Sequence, residues 1–212
     1  MNLAAFRKEY TIAGLRRRDL AENPILQFQD WFQQAVKAEV PEPTAMSLAT
    51  VNNSGQPTVR TVLLKAVDER GFIFCTNYDS RKGRDLADNS RSALLFFWKE
   101  LERQVCIGGL TRKVPESESD LYFKARPIGS QLGAWASQQS SVVENRQVLE
   151  KRFQEMEQKF SGQQIPLPPN WGGYIVVPDT IEFWQGRVNR LHDRFLYSRQ
   201  ASGVWQIKRL SP

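Results

Sequence analysis

The chain has 212 residues, of which 41% are hydrophobic, 11% aromatic and 25% charged. That length and apolar content suit one globular domain, or one domain with an arm, and they exclude a mainly disordered chain. The longest apolar run, Ala93 to Trp98, has six residues, far short of the ~20 that a membrane-spanning helix needs. The 29 Lys and Arg against 23 Asp and Glu give a net charge of +6. This surplus indicates either a plain basic surface or anionic partners: nucleic acid, a membrane surface or phosphorylated small molecules.

The cysteine and histidine content argues against disulfide and zinc frameworks. Cys75 and Cys106 are the two cysteines, and both lie in apolar, strand-like runs. We therefore expect reduced thiols in the core of a cytoplasmic protein. The first ten residues lack the apolar segment of a secretory signal, and one histidine with two cysteines is a poor set for structural zinc.

The predicted elements begin with a polar, basic arm over residues 1–23, which has Arg16-Arg17-Arg18 in its middle. A helix follows from Pro24 to Ala38, because Ile25, Phe28, Phe32 and Val36 have helical spacing. Strands are predicted at 45–51, 58–66, 72–76, 91–98 and 103–114. The Gly108-Gly109 pair in the last of these indicates a bulge or a close backbone approach.

The remaining predicted elements are three helices and three strands. Helices are predicted at 80–89, 116–126 and 141–160, the last capped by Ser140 or Ser141. Strands are predicted at 173–177, 180–185 and 194–210, with a turn at 200–203. The strand-rich order indicates a mostly β fold, an antiparallel barrel or sandwich with helices packed outside.

The sequence Asp79-Ser80-Arg81-Lys82 places two cations at a predicted helix start. With Asp79 or Ser80 as N-cap, Arg81 and Lys82 fall in the first turn, where the helix dipole disfavours them by about a few tenths of a kcal/mol each. A bound anion would reverse that sign, because free backbone N–H groups and both cations would converge on it. The alternatives are a phosphate site and two solvated side chains.

The stretch Arg60-Thr-Val-Leu-Leu-Lys65 has an apolar centre and a cation at each end. In a regular strand Arg60 and Lys65 would face opposite sides, so they would serve different ligands or different subunits. The alternative is a core strand with solvated ends.

If the segment Arg190-Leu-His-Asp-Arg194, which leads into the strand predicted at 194–210, is itself extended, Arg190, His192 and Arg194 share one face. The cationic and titratable side chains of such a row repel one another unless an anion binds there, because no acidic residue lies between them on that face. His192 is the only histidine, so imidazole proton transfer near neutral pH would have to use it. A purely structural histidine is the alternative.

Tyr122 and Arg126 are spaced i, i+4 on one predicted helix, and Ser130 follows. A phenol, a guanidinium and a hydroxyl together suit a phosphate, although an ordinary surface pair has the same spacing. Trp184 ends a predicted strand just before Arg190 and suits either the core or a flat aromatic ligand.

Taken in order, six stretches resemble the pyridoxamine 5′-phosphate oxidase family, over nearly the whole chain from about Phe6 to Pro212. They are RTVLLK at 60–65, SRK at 80–82, LERQV at 101–105, GAWASQQSS at 133–141, PLPPNWGGY at 166–174 and IEFWQGRVNRLHDRFLY at 181–197. The resemblance implies an FMN-binding split β-barrel, antiparallel and Greek-key-like, in a single domain over residues 24–212. It also implies a homodimer with the flavin at the subunit interface and an arm, residues 1–23, that closes over the active site.

By that similarity, each set of candidate residues has a ligand. The FMN contacts would be Arg60, Thr61, Val62, Leu63, Leu64, Lys65, Cys75, Thr76, Arg81, Lys82, Gln104, Gln139, Ser140, Trp184 and Arg194. The substrate contacts would be Arg7, Lys8, Glu9, Tyr10, Lys65, Tyr122, Arg126, Ser130, Arg190 and His192, with Arg190 and His192 as the catalytic pair. Position 75 departs from the family, because an aromatic residue is common there and this chain has cysteine.

The implied reaction is FMN-dependent oxidation of pyridoxamine or pyridoxine 5′-phosphate to pyridoxal 5′-phosphate. Molecular oxygen would accept the electrons, and hydrogen peroxide would be released, with ammonia from the amine. This function in vitamin B6 salvage involves no metal, nucleic acid or membrane partner. Two alternatives remain at this point: a basic, tryptophan-rich nucleic-acid-binding module, and a flavin reductase or a flavin or haem carrier on the same barrel.

Overall fold

The computed structural model describes residues 1, 3 and 9–212. The helices within this part of the chain are α1 Pro24–Lys37, α2 Arg81–Asp88, α3 Glu116–Lys124, α4 Ile128–Ala136 and α5 Arg146–Lys159. The strands are β1 Ala45–Val51, β2 Pro57–Leu63, β3 Ala66–Asp68, β4 Gly71–Asn77, β5 Arg91–Trp98, β6 Arg103–Lys113, β7 Trp171–Gln185, β8 Asp193–Arg199 and β9 Trp205–Leu210.

All nine strands pair antiparallel in one curled sheet. The main path runs β2-β1-β5-β6-β7-β4-β3, and β8 and β9 extend the sheet from β7. The Lys65 N–H donates to the Ile73 carbonyl at 2.7 Å, which brings the end of β2 back to β4 and closes the barrel. The prediction of a mostly β, antiparallel barrel with helices outside is confirmed.

Helix α1 covers the interior of the barrel with an apolar face. Asn23 caps it by accepting the Ile25 N–H at 2.8 Å, and Pro24 occupies the first helical position. The Phe28 ring lies 4.8 Å from Phe72 and 4.9 Å from Phe96, measured between centroids. The predicted apolar face of this helix is wrong at its last member, because Val36 is 47% exposed.

A second, smaller apolar cluster supports the helical layer beside the barrel. It consists of Phe123, Leu132, Ile165 and Trp171, all buried. These residues come from α3, α4, the connector before β7 and the first residue of β7, so the helices are fixed to that end of the strand.

Strand β7 is the long continuous element of the sheet. We predicted two strands here, at 173–177 and 180–185, but the ladder to β6 continues through the gap with one register shift, at Gly108/Gly109. The bulge predicted from that glycine pair is confirmed. Fifteen residues extend over up to roughly 45 Å at ~3.3 Å per residue, so the two ends of β7 lie far apart.

Four further boundaries differ from the predicted ones. Strand β2 ends at Leu63, so Lys65 lies in a connection and not on a regular strand. Helix α5 begins at Arg146 with Asn145 as its cap, not with Ser140 or Ser141, because the Asn145 side chain accepts the Val148 N–H. Helix α4 was not predicted. Val188–Arg190 forms a short 3₁₀ turn, and β8 starts only at Asp193.

The two thiols are free, as predicted, but they are not both in the core. Cys75 is half-buried and Cys106 is exposed on the outer face of β6, where strand alternation turns it away from Val105 and Ile107. Across residues 1, 3 and 9–212, no helix combines the length and the hydrophobicity needed to cross a membrane.

We predict that Gly109→Ala destabilises the fold and Gly108→Ala does not. A Cβ at Gly109 would lie 2.1 Å from the Val177 carbonyl oxygen, a backbone atom, whereas at Gly108 it would meet only the Thr180 hydroxyl at 3.0 Å. The first change should lower the free energy of unfolding by about 1–3 kcal/mol, and the second by less than about 0.5 kcal/mol. Urea unfolding of both variants measures this, and equal losses would contradict the account of the bulge.

Candidate active site

The first turn of α2 carries a buried lysine. Ser80 caps the helix by accepting the Gly83 N–H at 3.3 Å, as predicted. Lys82 is 9% exposed, and its Nζ donates to Thr76 Oγ1, Ser80 Oγ and Gln139 Oε1 at 3.1–3.3 Å. Within the described part of the chain no carboxylate lies within 4.0 Å of this amine. Burial, and secondarily the charge of Arg60, lowers the pKa of Lys82.

Arg60 points from β2 into the barrel end beside that lysine. Its Nη1 donates to the Leu48 carbonyl at 3.1 Å and to Thr50 Oγ1 at 2.7 Å. Burial lowers the pKa of the guanidinium, although Asp85 opposes the shift. A cavity of about 430 Å³, here called the Arg60 cavity, is lined by Arg60, Thr61, Val62, Leu63, Lys65, Cys75, Thr76, Lys82, Gln139 and Ser140.

A second cavity, of about 600 Å³, adjoins the first and shares Lys65, Cys75, Thr76 and Gln139 with it. In this Lys65 cavity the structure brings together all four residues predicted to hold the substrate phosphate: Lys65, Tyr122, Arg126 and Ser130. Because β2 ends at Leu63, between Arg60 and Lys65, the two side chains are not held on opposite faces of one strand and reach neighbouring cavities.

The polar groups of the Lys65 cavity are arranged around aromatic rings. Lys65 Nζ lies 5.6 Å from the centroid of Tyr122, and the Arg126 guanidinium lies 4.7 Å from that of Trp171. Arg126 Nη1 is buried and has no hydrogen-bond partner. Burial lowers the pKa of Arg126. A buried guanidinium donor without a partner is costly, and an anion in this cavity would remove the cost.

The segment before α5 closes the wall between the cavities. Thr76 Oγ1 donates to Gln139 Oε1 at 3.1 Å, and Ser140 Oγ accepts the Arg81 N–H at 3.2 Å. Ser140 has a φ of +71°, a conformation that is uncommon for residues with a side chain. Gln139 and Ser140 therefore lie beside the N-terminus of α2, and not at the start of α5.

Cys75 lines both cavities as a protonated thiol. Burial raises its pKa to about 12, against the opposing charges of Lys65 and Arg126. Leu64 differs from its neighbours, because its side chain is 7% exposed and belongs to the core.

Arg190 and His192 lie in a different part of the chain, in the turn after β7. The His192 ring is 4.5 Å from Trp184 and 5.8 Å from Tyr10 between centroids, and the Arg190 guanidinium is 5.9 Å from Tyr10. The segment is not extended at Arg190, because Asn189 and Arg190 have φ angles of +56° and +60°, so the alternation that would place Arg190, His192 and Arg194 on one face does not hold. Two successive left-handed residues without glycine store strain, which is typical of functional sites.

The His192 ring has a defined tautomer. Its Nδ1 accepts the Arg187 N–H at 3.1 Å, so the neutral imidazole carries its proton on Nε2. Burial, and secondarily the charge of Arg190, lowers the pKa of His192 from its ordinary value, which favours the neutral ring.

Gln104, Trp184 and Arg194 form a row across β6, β7 and β8. Arg194 does have an acidic partner, which the sequence analysis missed. Its Nε and Nη2 donate to the two Glu182 carboxylate oxygens at 2.7 and 3.1 Å, because the acid comes from the adjacent strand.

The described end of the arm packs beside this row. The Glu9 carboxylate accepts the Asn189 N–H at 3.3 Å, and Tyr10 contacts Trp184 edge to face at 5.7 Å. Arg7 and Lys8, also predicted to contact substrate, lie outside the described residues. In the basic triplet, Arg16 pairs with Asp19 and Arg17 with Glu22.

The candidate residues therefore fall into two groups, at opposite ends of β7. The cavity group lies at the Trp171 end, where Thr76 pairs with Gly172. The turn group, with Gln104, Trp184, Arg190 and His192, lies at the Gln185 end, where Arg103 pairs with Gln185. Sequence reasoning missed Trp171, which lines the Lys65 cavity. It also missed Asp85, which lies 3.7 Å from Arg60 and follows Arg81 by one helical turn.

Comparisons with known proteins identify the family to which this barrel belongs. Residues 32–160 match the family model described as pyridoxamine 5′-phosphate oxidase. Residues 171–212 match the pyridoxine 5′-phosphate oxidase C-terminal dimerisation region. The chain belongs to the pyridoxamine 5′-phosphate oxidase family, and this assignment supports an oxidoreductase.

Similar full-length proteins carry the corresponding name. Pyridoxine/pyridoxamine 5′-phosphate oxidase of Nostoc punctiforme is 57% identical over 210 residues, 99% of this chain and 98% of that protein. The protein of the same name from Burkholderia thailandensis is 56% identical over 212 residues, 99% of each chain.

Two solved structures share the fold. PhzG from Burkholderia lata, in complex with tetrahydrophenazine-1-carboxylic acid, is 32% identical with a TM-score of 0.90, over 97% of this chain and all of that one. A pyridoxamine 5′-phosphate oxidase-related, FMN-binding protein from Nostoc punctiforme is 15% identical with a TM-score of 0.72, over 91% of this chain and all of that one. The second likeness supports the flavin-binding split-barrel fold only.

We predict that His192 titrates below pH 6.5 and that Arg190→Gln raises its pKa, because a neighbouring positive charge disfavours imidazolium. As the only histidine, His192 can be followed by NMR without further assignment. Arg199→Gln, which removes a cation elsewhere on β8, is the control and should leave the titration unchanged. A pKa at or above 6.5, or one that Arg190→Gln does not move, would contradict the geometry of the turn.

Proposed function

We propose that the chain is an FMN-dependent oxidase that converts pyridoxamine or pyridoxine 5′-phosphate to pyridoxal 5′-phosphate. Oxygen accepts the electrons and becomes hydrogen peroxide, and the amine substrate also consumes water and releases ammonia. The observation that carries the proposal is the pair of adjoining cavities, each lined by its own set of cations. No described carboxylate neutralises Lys82 in the Arg60 cavity or Arg126 in the Lys65 cavity, and Arg126 Nη1 has no described hydrogen-bond partner.

The Arg60 cavity fits the phosphate end of FMN. Buried Lys82 and partly buried Arg60 offer charged donors. Arg81 lies in the first turn of α2, and Ser140 Oγ accepts its backbone N–H. A helix N-terminus with two cations is suited to a phosphomonoester. Bound FMN supplies the two-electron acceptor that the side chains lack.

The Lys65 cavity fits the phosphate of the substrate. Lys65 and Arg126 provide charge, Tyr122 and Ser130 provide hydroxyls, and the unpartnered Arg126 Nη1 provides a free donor. This phosphate is remote from the reacting carbon, so its binding energy orients the substrate and lowers the barrier.

Arg190 and His192 act at the reacting end of the substrate. The Arg190 guanidinium fixes and polarises the amine or hydroxyl group. Because Nδ1 accepts the Arg187 N–H, the neutral His192 ring carries its proton on Nε2 and serves as a hydrogen-bond donor that orients the substrate.

A second copy of the chain completes the site. The turn group lies at the far end of β7 from the cavities, so one chain does not bring both to one small substrate. The family's dimerisation region covers β7 to β9, which contain Trp184, Arg190, His192 and Arg194. In the proposed homodimer, these residues and Gln104 face the cavities of the partner, with FMN between the subunits and residues 1–23 closing over the barrel domain.

The likeness to PhzG favours one alternative, oxidation of a reduced phenazine carboxylic acid. That ligand has no phosphate, so it leaves the clamp of Lys65, Tyr122, Arg126 and Ser130 without a use. We therefore place it second.

Anaerobic titration of the yellow protein tests both functions. Pyridoxamine 5′-phosphate should bleach the flavin absorbance at concentrations at least about 100-fold lower than pyridoxamine, because charge-assisted hydrogen bonds are worth ~1.5–3 kcal/mol each. Arg126→Ala should reduce that ratio by about tenfold or more. Lys124→Ala, which removes an exposed cation of α3, is the matched control.

The contrary outcomes are distinct. A purified chain that retains no flavin would contradict the cofactor, and preferential bleaching by tetrahydrophenazine-1-carboxylic acid would favour the alternative reaction. Equal bleaching by the phosphorylated and unphosphorylated amines would remove the role of the Lys65 cavity.

A further inference from the structure

A buried acid stands behind Arg60. Asp85, on α2, is 5% exposed. Its Oδ2 accepts hydrogen bonds from the Thr50 hydroxyl at 2.6 Å and the Thr58 hydroxyl at 3.0 Å, and it lies 3.7 Å from Arg60 Nη2. These three partners come from β1 and β2, so the carboxylate joins the helix to two strands.

The same two hydroxyls also bind Arg60. Thr50 Oγ1 accepts from Arg60 Nη1 at 2.7 Å, and Thr58 Oγ1 accepts from Nη2. A hydroxyl has one proton to give. Because an ionised carboxylate can only accept, each threonine donates to Asp85 and receives from Arg60, so Asp85 determines the orientation of both hydroxyls.

We infer that Asp85 is a positioning residue that holds Arg60, through Thr50 and Thr58, in the conformation that receives the flavin phosphate. This inference rests on the proposed function. Arg60 lines its cavity with Lys82, and its Nε has no partner among the described residues, so it remains available to an anion. Without Asp85, the hydroxyls lose their acceptor and Arg60 loses the one described carboxylate within 4.0 Å.

Asp85 also sets the distance between Arg60 and the cations of α2. It follows Arg81 by four residues and Lys82 by three, on a helix that begins at Arg81. The contact with Thr50 and Thr58 therefore fixes that first turn against the strand that carries Arg60. Arg60 and Lys82 are thereby held around one cavity, and Asp85 is not among the residues that line it.

The sign of the effect separates positioning from simple electrostatics. A carboxylate near an anion site repels the anion, so removing it would by charge alone tighten FMN binding. If Asp85 positions Arg60, its removal instead weakens FMN binding. Riboflavin, which lacks the phosphate, should bind nearly unchanged in either case.

The test is titration of the flavin-free, full-length chain with FMN and with riboflavin, followed by flavin fluorescence. Asp85→Ala should raise the Kd for FMN about tenfold or more, as expected for loss of one charged hydrogen-bonding contact, and the Kd for riboflavin less than about threefold. Asp85→Asn, which can still accept both hydroxyl protons, should lie between wild type and alanine. Asp88→Ala removes an exposed acid of the same helix and should match wild type.

A double-mutant cycle completes the design. In an Arg60→Ala background, Asp85→Ala should cause no further loss of FMN affinity, because its effect acts through Arg60. Should Asp85→Ala fail to fold, Thr58→Val breaks one of the two links to Arg60 and should produce the same selective loss of FMN.

Each contrary result has a separate meaning. Tighter FMN binding, an equal loss of both flavins, or a full further loss in the Arg60→Ala background would overturn the positioning role of Asp85 while leaving the proposed function intact. Equal affinity of the wild-type chain for FMN and riboflavin would overturn the proposed function, and this inference with it.

Discussion

The length of β7 is the constraint on which the rest of the site depends. The strand runs without a break from Trp171 to Gln185, and it has the Arg60 and Lys65 cavities at one end and the Arg190 turn at the other. A substrate the size of a vitamin phosphate cannot contact both ends. The bulge at Gly108/Gly109 adjusts the register but does not shorten the strand. We therefore propose that two chains form one active site, in keeping with the family's C-terminal dimerisation region over residues 171–212.

The cavity end of β7 is distinguished by cations that have no carboxylate partner among the described residues. Exposed arginines such as Arg16 and Arg70 have carboxylate partners in this structure, whereas Lys82 is buried with only neutral partners and Arg126 Nη1 has none. Buried charge without a counter-ion costs stability. The fold accepts this cost where phosphate groups are proposed to bind, and the depressed pKa of each group reflects its desolvation.

Local patterns predicted much of this arrangement from the sequence. The Ser80 cap depends on neighbouring residues, and the structure has it. Tyr122 and Arg126 line the same cavity, although α3 ends at Lys124, before Arg126. The turn at Asn189 and Arg190 was not predicted, because left-handed residues other than glycine leave no sequence signal. The Asp85 network joins residues 35 positions apart, and the Glu182 partner of Arg194 comes from another strand, so neither follows from local spacing.

The most direct test of the two-chain site is subunit complementation. Arg126→Ala and Arg190→Ala chains, each nearly inactive alone, are coexpressed with different tags, and pyridoxal 5′-phosphate formation by the mixture is measured. In random twofold dimers, half are mixed and one of their two sites combines an intact cavity with an intact turn, so activity should recover to about a quarter of wild type. A mixture as inactive as its parents would show that each site lies within one chain, and the account would be wrong.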